Sequence, residues 1–318
     1  MAQFGSNSFA FFLVGGYDLM ASKLQGFSWK TEDLTTMTHG LGDTAELPAK
    51  VGITKYTLTQ SGGFFDSTAN QMHDRMKAGT GSADVVCFGV AGNAVGAPFV
   101  GCLGALHTTY EVLAQNGDLT KANAAYQTNN NAYPGQVVQP WDTKTADWNT
   151  KTLGTTVDYT TDPSQTVIPI TSWSLASPSA VVTTVPHGRT TGDIILISGA
   201  GDINGQRTIT VTSTTGFTVG AASATGGTGG SFVRANSTGG GYGFQQVSAF
   251  SGFTGFVGEI RDSADDTTYA ALTTFTNVTS GPIAQSVSAS GTVDRYLSYD
   301  GNVVGSGSIT AMAGFCRT

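Results

Sequence analysis

The sequence is poor in charged residues. They make up 12% of its 318 positions, about half of the roughly 25% that soluble globular domains carry. Lysine and arginine total 15, and the densest basic stretch, residues 73–77, contains an aspartate. Long amphipathic helices place Lys, Glu and Arg toward water, and stable nucleic-acid binding uses Lys and Arg to neutralise phosphates. The shortage therefore disfavours helical bundles and stable DNA or RNA binders.

Cysteine and the motifs of catalysis are also scarce. Three cysteines, Cys87, Cys102 and Cys316, are too few for a disulfide framework, and we expect buried reduced thiols. The four histidines lack the spacing of a helical zinc site, and no nucleophile elbow or phosphate loop occurs. We expect no catalytic, cofactor or metal site and no enzyme. A β-sandwich hydrolase stays open as an alternative, because paired carboxylates meet in space rather than in sequence.

No apolar run is long enough to cross a bilayer. Residues 9–14 form the first apolar run, and a membrane helix needs about 20 residues. No basic segment typical of a secretory signal precedes it. We expect a buried strand here and no membrane insertion.

The sequence is rich in small polar residues. Ser and Thr total 74, Gly totals 43, and 39% of positions are still hydrophobic, which is too apolar for a disordered chain. Residues 51–65 and 84–89 have strand patterns. Helical signals are few: residues 67–77, a turn within 118–126, and residues 267–275. The sequence predicts a mainly β protein with one or two short helices.

A change in composition near residue 175 predicts an inserted module. Short strands at 179–185, 193–198, 206–212 and 216–219 each end at turn residues. A Gly-rich connector, residues 225–230, follows them. The predicted organisation is a first domain part at 1–172, an inserted β-module at 173–236 and a second domain part at 237–318.

The segments outside this insertion resemble the tail tube (major tail) proteins of long-tailed bacteriophages. The resemblance lies in residues 24–43, 61–66, 263–276, 291–297 and 309–317. It covers residues 15–165 and 240–318, while residues 181–219 are similar to small β-barrel modules inserted in phage tail and fibre proteins. The fold class that follows is a tail-tube-type β-sandwich or barrel, mainly β, with an inserted small β-barrel domain on the outer surface.

This resemblance implies a virion structural protein. Such subunits assemble into rings, usually six-fold, that stack into the hollow tube through which phage DNA reaches the host. The expected partners are further copies of the chain, a tape-measure protein and tail-end proteins, with DNA only passing through. The expected location is the phage tail, of the non-contractile kind, assembled in the host cytoplasm. In the family's long loop, here residues 31–50, the candidate contacts between rings or subunits are Glu32, Asp33, Asp43 and Glu46.

The net charge bears on this function. The chain carries −7 at pH 7, so a ring of six would carry about −42 and would repel DNA. We therefore expect inward strands to present Asp, Glu, Thr and Ser. The alternative is a receptor- or carbohydrate-binding tail fibre, spike or capsid decoration protein. Sugar sites usually present stacked aromatics, and the module has only Phe217 and Phe232, with Trp173 just before it.

Overall fold

The computed structural model describes residues 11–22, 26–38, 47–64, 72–89, 91–114, 120–129, 131–162, 165–174, 176–220 and 225–318. The fold is 65% strand and 5% helix, with a large sheet and a closed six-stranded barrel, which confirms the mainly β class.

The strands fall into three groups along the chain. The first group is β1 (Phe11–Val14), β2 (Tyr17–Asp18), β3 (Gly26–Thr38), β4 (Leu47–Phe64), β5 (Ala83–Gly89), β6 (Pro98–Leu113), β7 (Lys121–Asn129), β8 (Ala132–Lys144), β9 (Trp148–Asn149) and β10 (Val157–Asp158). The second group is β11 (Ile168–Trp173), β12 (Ser179–Thr183), β13 (Ile194–Ser198), β14 (Gly205–Ser213), β15 (Gly216–Val219), β16 (Gly227–Thr228) and β17 (Ser231–Arg234). The third group is β18 (Gly241–Ser263), β19 (Ala270–Thr274), β20 (Ile283–Ala289) and β21 (Tyr296–Arg317). Helix α1 (Met72–Gly79) lies between β4 and β5, and 3₁₀ turns occupy Leu19–Ser22, Tyr159–Thr161 and Gly201–Ile203.

Strand β6 joins two layers of the large sheet. Its first half pairs with β5 and β8, and the sheet continues through β21 to β18. Its second half pairs with β7, which is followed by β4 and then β3. The layers pack through aromatic rings: Phe27 of β3 lies 4.9 Å from Phe12 of β1 and 5.1 Å from Phe88 of β5, between centroids. A buried cluster that includes Leu58 and Tyr126 fills the space between them.

Strands β18 and β21 form the longest pair, with shifts in register near their middle. Trp148 stacks on Phe256 of β18 at 5.4 Å and also lies against Gly301 of β21. A Cβ atom at Gly301 would lie 2.4 Å from the Trp148 ring, so glycine permits this close approach.

The inserted module closes on itself. Strands β11, β12, β15, β14, β13 and β17 pair in that order, and β17 returns to β11. Its core contains Ile195, Ile197, Phe217 and Phe232, all at most 2% exposed. The barrel strands run from 168 to 234, whereas the sequence placed the insertion at 173–236. Part of the predicted connector is ordered, because β16 pairs with β11.

Two helical predictions are wrong. Residues 118–126 contain the start of β7, where Ala122, Ala124 and Tyr126 are buried in strict alternation. Residues 267–275 contain β19, which pairs with β18. In both places a neighbouring strand supplies backbone partners, and such tertiary pairing overrides weak local helical spacing.

Other predictions agree with the structure. Helix α1, Met72–Gly79, overlaps the predicted 67–77 segment and ends two residues after it, and residues 67–71 lie outside the described ranges. Cys87, Cys102 and Cys316 are buried and free, and burial raises the pKa of the Cys87 thiol to about 12. In the described ranges, no helix has the length and apolarity needed to cross a membrane.

Candidate functional site

One face of the sheet β3–β4–β7–β6 is polar and open. Along β7 the buried residues Ala122, Ala124 and Tyr126 alternate with partly exposed residues. The buried side faces the core and α1, where the Tyr126 hydroxyl donates to Met76 Sδ at 3.0 Å. Alternate side chains of a strand point to opposite faces, so the exposed set lies together on the side away from α1. We call it the polar face.

Uncharged groups dominate the polar face, and the strand register places its members side by side. Its charged members are three lysines and two glutamates: Lys30, Lys55, Lys121, Glu32 and Glu111. Its uncharged polar members are Ser28, Thr57, Thr59, Ser61, Thr109, Asn123, Gln127 and Asn129. Ser and Thr are present on this face, which carries no excess of acidic residues, and the composition expected for an inward surface stays a prediction.

The polar face contains a trough of about 480 Å³ lined by residues of β4, β6 and β7. Asn123 lines the trough and is held in place, because its Oδ1 accepts from Gly62 N at 2.9 Å and its Nδ2 donates to Glu111 at 3.3 Å. Gly62 lies in the left-handed region, with φ 70°, where the β4 register shifts. The strand therefore bulges at this point, and the bulge presents a backbone N–H to a polar-face side chain.

The four-stranded sheet has two open edges. Among the described strands, β3 pairs with β4 alone, and residues 28–31 are all exposed. At the other side, β5 pairs with β6 only as far as Leu106, and His107 bonds to Ser82 and Gly81. Within the described ranges, no strand pairs with residues 109–113 of β6 on the side away from β7. We call these residues the open half of β6. Val112 and Leu113 there are 42% and 39% exposed. Open edges of this length invite pairing with another strand.

Beyond the last β4–β7 pair, Lys55 with Asn129, the β3–β4 hairpin continues as a two-stranded ribbon. The predicted loop at 31–50 is thus wrong for 31–38 and 47–50, which are paired strands. Glu32 lies in the last row that includes β7, and Asp33 begins the ribbon, where it accepts from Thr54 Oγ1 at 2.7 Å. Asp43 and Glu46 lie outside the described residues. The contact role of these four acidic residues stays a prediction.

Glu32 is flanked by two lysines on the polar face. Lys30 Nζ lies 2.6 Å from Glu32 Oε1, and Lys55 is directly opposite on β4. The hydrogen bond from Lys30 and the two positive charges lower the pKa of Glu32 below its usual range. Because the group is exposed, the pair adds little to stability, but it keeps Glu32 ionised.

The core side of the sheet is fixed by α1. His73 Nδ1 hydrogen-bonds the hydroxyl of Tyr110, in the open half of β6, at 2.5 Å. Arg75 forms an ion pair with Asp84 of β5, and both side chains are about 15% exposed (14% and 15%). His107 stacks on Tyr126 at 4.6 Å between centroids, and burial lowers its pKa. The helix thus ties β5, β6 and β7 together.

Other places offer weaker candidates. Phe217 and Phe232 are buried in the module core and form no platform for a sugar, and Trp173 is partly buried against Gly227. Asp265 accepts from the backbone of Thr267 and Thr268, which makes it a turn residue. A search of the described residues finds no group of three or more His, Cys, Asp or Glu placed to hold a metal.

Comparisons with known proteins give no family. No family model and no curated protein matches the chain. Among solved structures, the Dit protein of phage SPP1, described as a paradigm of the hub adsorption apparatus in phages that infect Gram-positive bacteria, aligns at 7% identity with a TM-score of 0.28. The alignment covers 97% of this chain and 98% of that one. Similarity at this level supports no conclusion about fold or function.

The sequence missed the open half of β6 and the polar-face residues Lys30 and Glu111. The alternation of small and polar residues in 121–129 was the available signal for β7. No local pattern shows which strand becomes an edge, since that depends on the topology.

Proposed function

We propose that this chain is a structural subunit of a phage tail that polymerises into rings and stacks them into the hollow tail tube. The observation that carries the proposal is the four-stranded sheet with a polar, trough-shaped face and an open edge at each side. Open edges are a hazard for a monomer, and closing a sheet into a barrel removes them. The remaining features suit this role: the helix covers the outer side, and the polar face lines the interior.

The strand directions suit ring closure. Adjacent strands of β3–β4–β7–β6 are antiparallel, so the first and last of the four run in opposite directions. In a rotational ring, β3 of one copy therefore meets the open half of β6 of the next copy as an antiparallel pair, like every pair within the sheet. Six copies would form a barrel of about 24 strands. From the strand spacing and tilt, its diameter, measured between opposite backbones, would be roughly 45–50 Å.

The composition of the polar face suits a passage for DNA. A wall rich in Lys and Arg would hold phosphates. Here the lysines are nearly balanced by glutamates, and Lys30 is paired with Glu32. The proposed wall is therefore close to neutral and rich in Ser, Thr, Asn and Gln. The same proposal includes the expected partners, a tape-measure protein and tail-end proteins, a structural rather than enzymatic role, and a location in the virion tail.

Electron microscopy of the purified full chain tests the proposal. We expect rings and hollow tubes, whereas spikes, trimeric rods or a persistent monomer at high concentration would contradict it. Spikes or rods would instead favour a fibre or receptor-binding protein.

A matched pair of variants tests whether the open edge matters. Val112→Lys places a charge in the open half of β6, and Val182→Lys places one on the module, at similar exposures of 42% and 44%. We expect Val112→Lys to remain monomeric and Val182→Lys to assemble. Equal assembly of both variants would count against pairing through this edge.

A further inference from the structure

Both open edges carry charge on the polar face: Glu111 in the open half of β6, and Lys30 beside its ion-pair partner Glu32 on β3. Lys30 of β3 is directly opposite Thr57, and Glu111 of β6 is directly opposite Asn123. Both charged side chains lie on the polar face, Lys30 with 67% of its side chain exposed and Glu111 exposed. Neither has an opposite charge across its own strand pair, unlike Glu32, which faces Lys55.

The tilt of a closed barrel decides which residues meet at the junction. Strands tilt by about 35–45°. With about 3.3 Å per residue and about 4.8 Å between strands, four strands accumulate an offset of about four to six residues. Within one copy, Lys30 is opposite Thr57, Thr57 is opposite Gln127, and Gln127 is opposite Leu106. Without any offset, Lys30 of the next copy would therefore lie opposite Leu106.

The direction of the offset follows from the free positions on β6. Displacement toward residues 98–102 leads to a segment that already has β5 on one side and β8 on the other. Displacement of Lys30 in the other direction, toward residue 113, brings it to the open half of β6, which has a free side. Allowing for the bulge between His107 and Thr109, four residues bring Lys30 opposite Glu111, and six bring it opposite Leu113, with Glu111 as the diagonal neighbour. Directly opposite and diagonal side chains are both within reach of a long side chain.

Building on the proposed function, we infer that Lys30 of one copy pairs with Glu111 of the next copy and fixes the register of the junction. The pair lies on the polar face and adds one opposite-charge contact per junction to the ion pair that Lys30 already forms with Glu32 of its own copy. Opposite charges across strands stabilise a pair, and like charges in the same place destabilise it. A slip of one residue would turn one of the two side chains to the other face, so the contact favours one register.

Charge reversal tests the pair. Lys30→Glu and Glu111→Lys each create a like-charge junction, and we expect each to raise the critical concentration for assembly at least several-fold at low salt. The double variant restores opposite charges and should return the concentration to within about twofold of the unmodified chain. Raised salt should shrink the effect of each single change. Lys77→Glu, on the exposed side of α1, is the matched control and should assemble normally.

A crosslink gives a direct geometric readout. Lys30 and Glu111 of one copy are three strand spacings apart, about 14 Å, beyond the Cα separation of about 7 Å that a disulfide allows. Oxidised Lys30→Cys/Glu111→Cys protein should therefore form covalent ladders between copies, and Lys77→Cys/Glu111→Cys protein should not.

The outcomes separate the two proposals. The unmodified chain could form tubes while the single reversals assemble normally or the double variant stays impaired. Either result would overturn the Lys30–Glu111 pair and leave the tube proposal standing. Absence of both assembly and ladders at high concentration would overturn both proposals. Circular dichroism of each variant confirms that the monomer is folded.

Discussion

The ion pair between Arg75 of α1 and Asp84 of β5 offers a quantitative test of how the sheet is supported. The two side chains are 14% and 15% exposed, and the Arg75 guanidinium also lies 5.5 Å from the Tyr17 ring centroid. Removing one partner of a buried pair costs about 3–5 kcal/mol, because the other charge stays buried without compensation. Since both side chains keep some contact with water, we expect Asp84→Ala to cost about 3 kcal/mol.

Replacing both charges should cost much less than the two single changes together. Apolar side chains of similar volume often replace a buried ion pair at little cost. We therefore expect Arg75→Met/Asp84→Leu to lie within about 1 kcal/mol of the unmodified chain, even though Arg75→Met and Asp84→Leu alone each cost several times more. The exposed pair Lys144–Asp142 is the control, and Asp142→Asn there should cost less than about 1 kcal/mol.

Urea unfolding followed by circular dichroism gives the free energies, and peptide-level hydrogen exchange locates the change. Exchange should accelerate in α1, β5 and β7 in the Asp84 variant while the inserted barrel is unaffected. A loss below about 1 kcal/mol for Asp84→Ala, or a double variant as unstable as the two singles added, would refute the account of Arg75 as a charge compensated by Asp84.

Three further predictions concern other parts of the chain. Because burial lowers the pKa of His107, the unfolded state binds the proton more readily, and the free energy of unfolding falls as the pH drops below about 6.5. His107→Gln should flatten this pH dependence when unfolding is measured at several pH values. An unchanged slope would contradict it. Gly314→Val should lower the melting temperature, because a Cβ there lies 2.4 Å from the Phe99 ring and overpacking costs about 1–3 kcal/mol; an unchanged melting temperature would show that Phe99 can move. Ile168 and Phe232 are directly opposite on β11 and β17, so the module begins and ends at one place and a short linker can replace it. We expect the shortened chain to fold and to form narrower tubes in micrographs. Loss of tubes would show that the module takes part in assembly.

The strands that the sequence predicts best are those whose local residue pattern indicates a strand without knowledge of the strand that pairs with them. Residues 194–198 and 205–213 form strands as expected, because they combine β-branched residues with turn residues at their ends. The segment around β19 fails for the opposite reason. Leu272 and Phe275 have helical spacing, but β18 offers a row of backbone groups, and Phe275 N donates to Gly258 O at 2.9 Å.

The candidate site is less predictable than the fold, since it depends on which strands stay unpaired. Glu32 and Asp33 stand out in the sequence as charges in a Thr-rich segment, and the structure places them on a paired strand and at the root of the ribbon. Lys30 and Glu111 are 81 positions apart in the sequence. Only the order β3–β4–β7–β6 puts them at opposite edges of the same face.

The net charge of −7 does not arise on the polar face. In the described ranges, many of the acidic residues between 142 and 162 and between 259 and 300 hold turns and ion pairs. Asp158 accepts two hydrogen bonds from Arg295, and Asp262 accepts from Asp294 N at 2.9 Å. These carboxylates lie on the β18–β21 side of the molecule and add nothing to the polar face. In the proposed tube, a wall that DNA passes without binding needs few unbalanced cations rather than many anions, and the polar face would meet that condition with three lysines beside two glutamates.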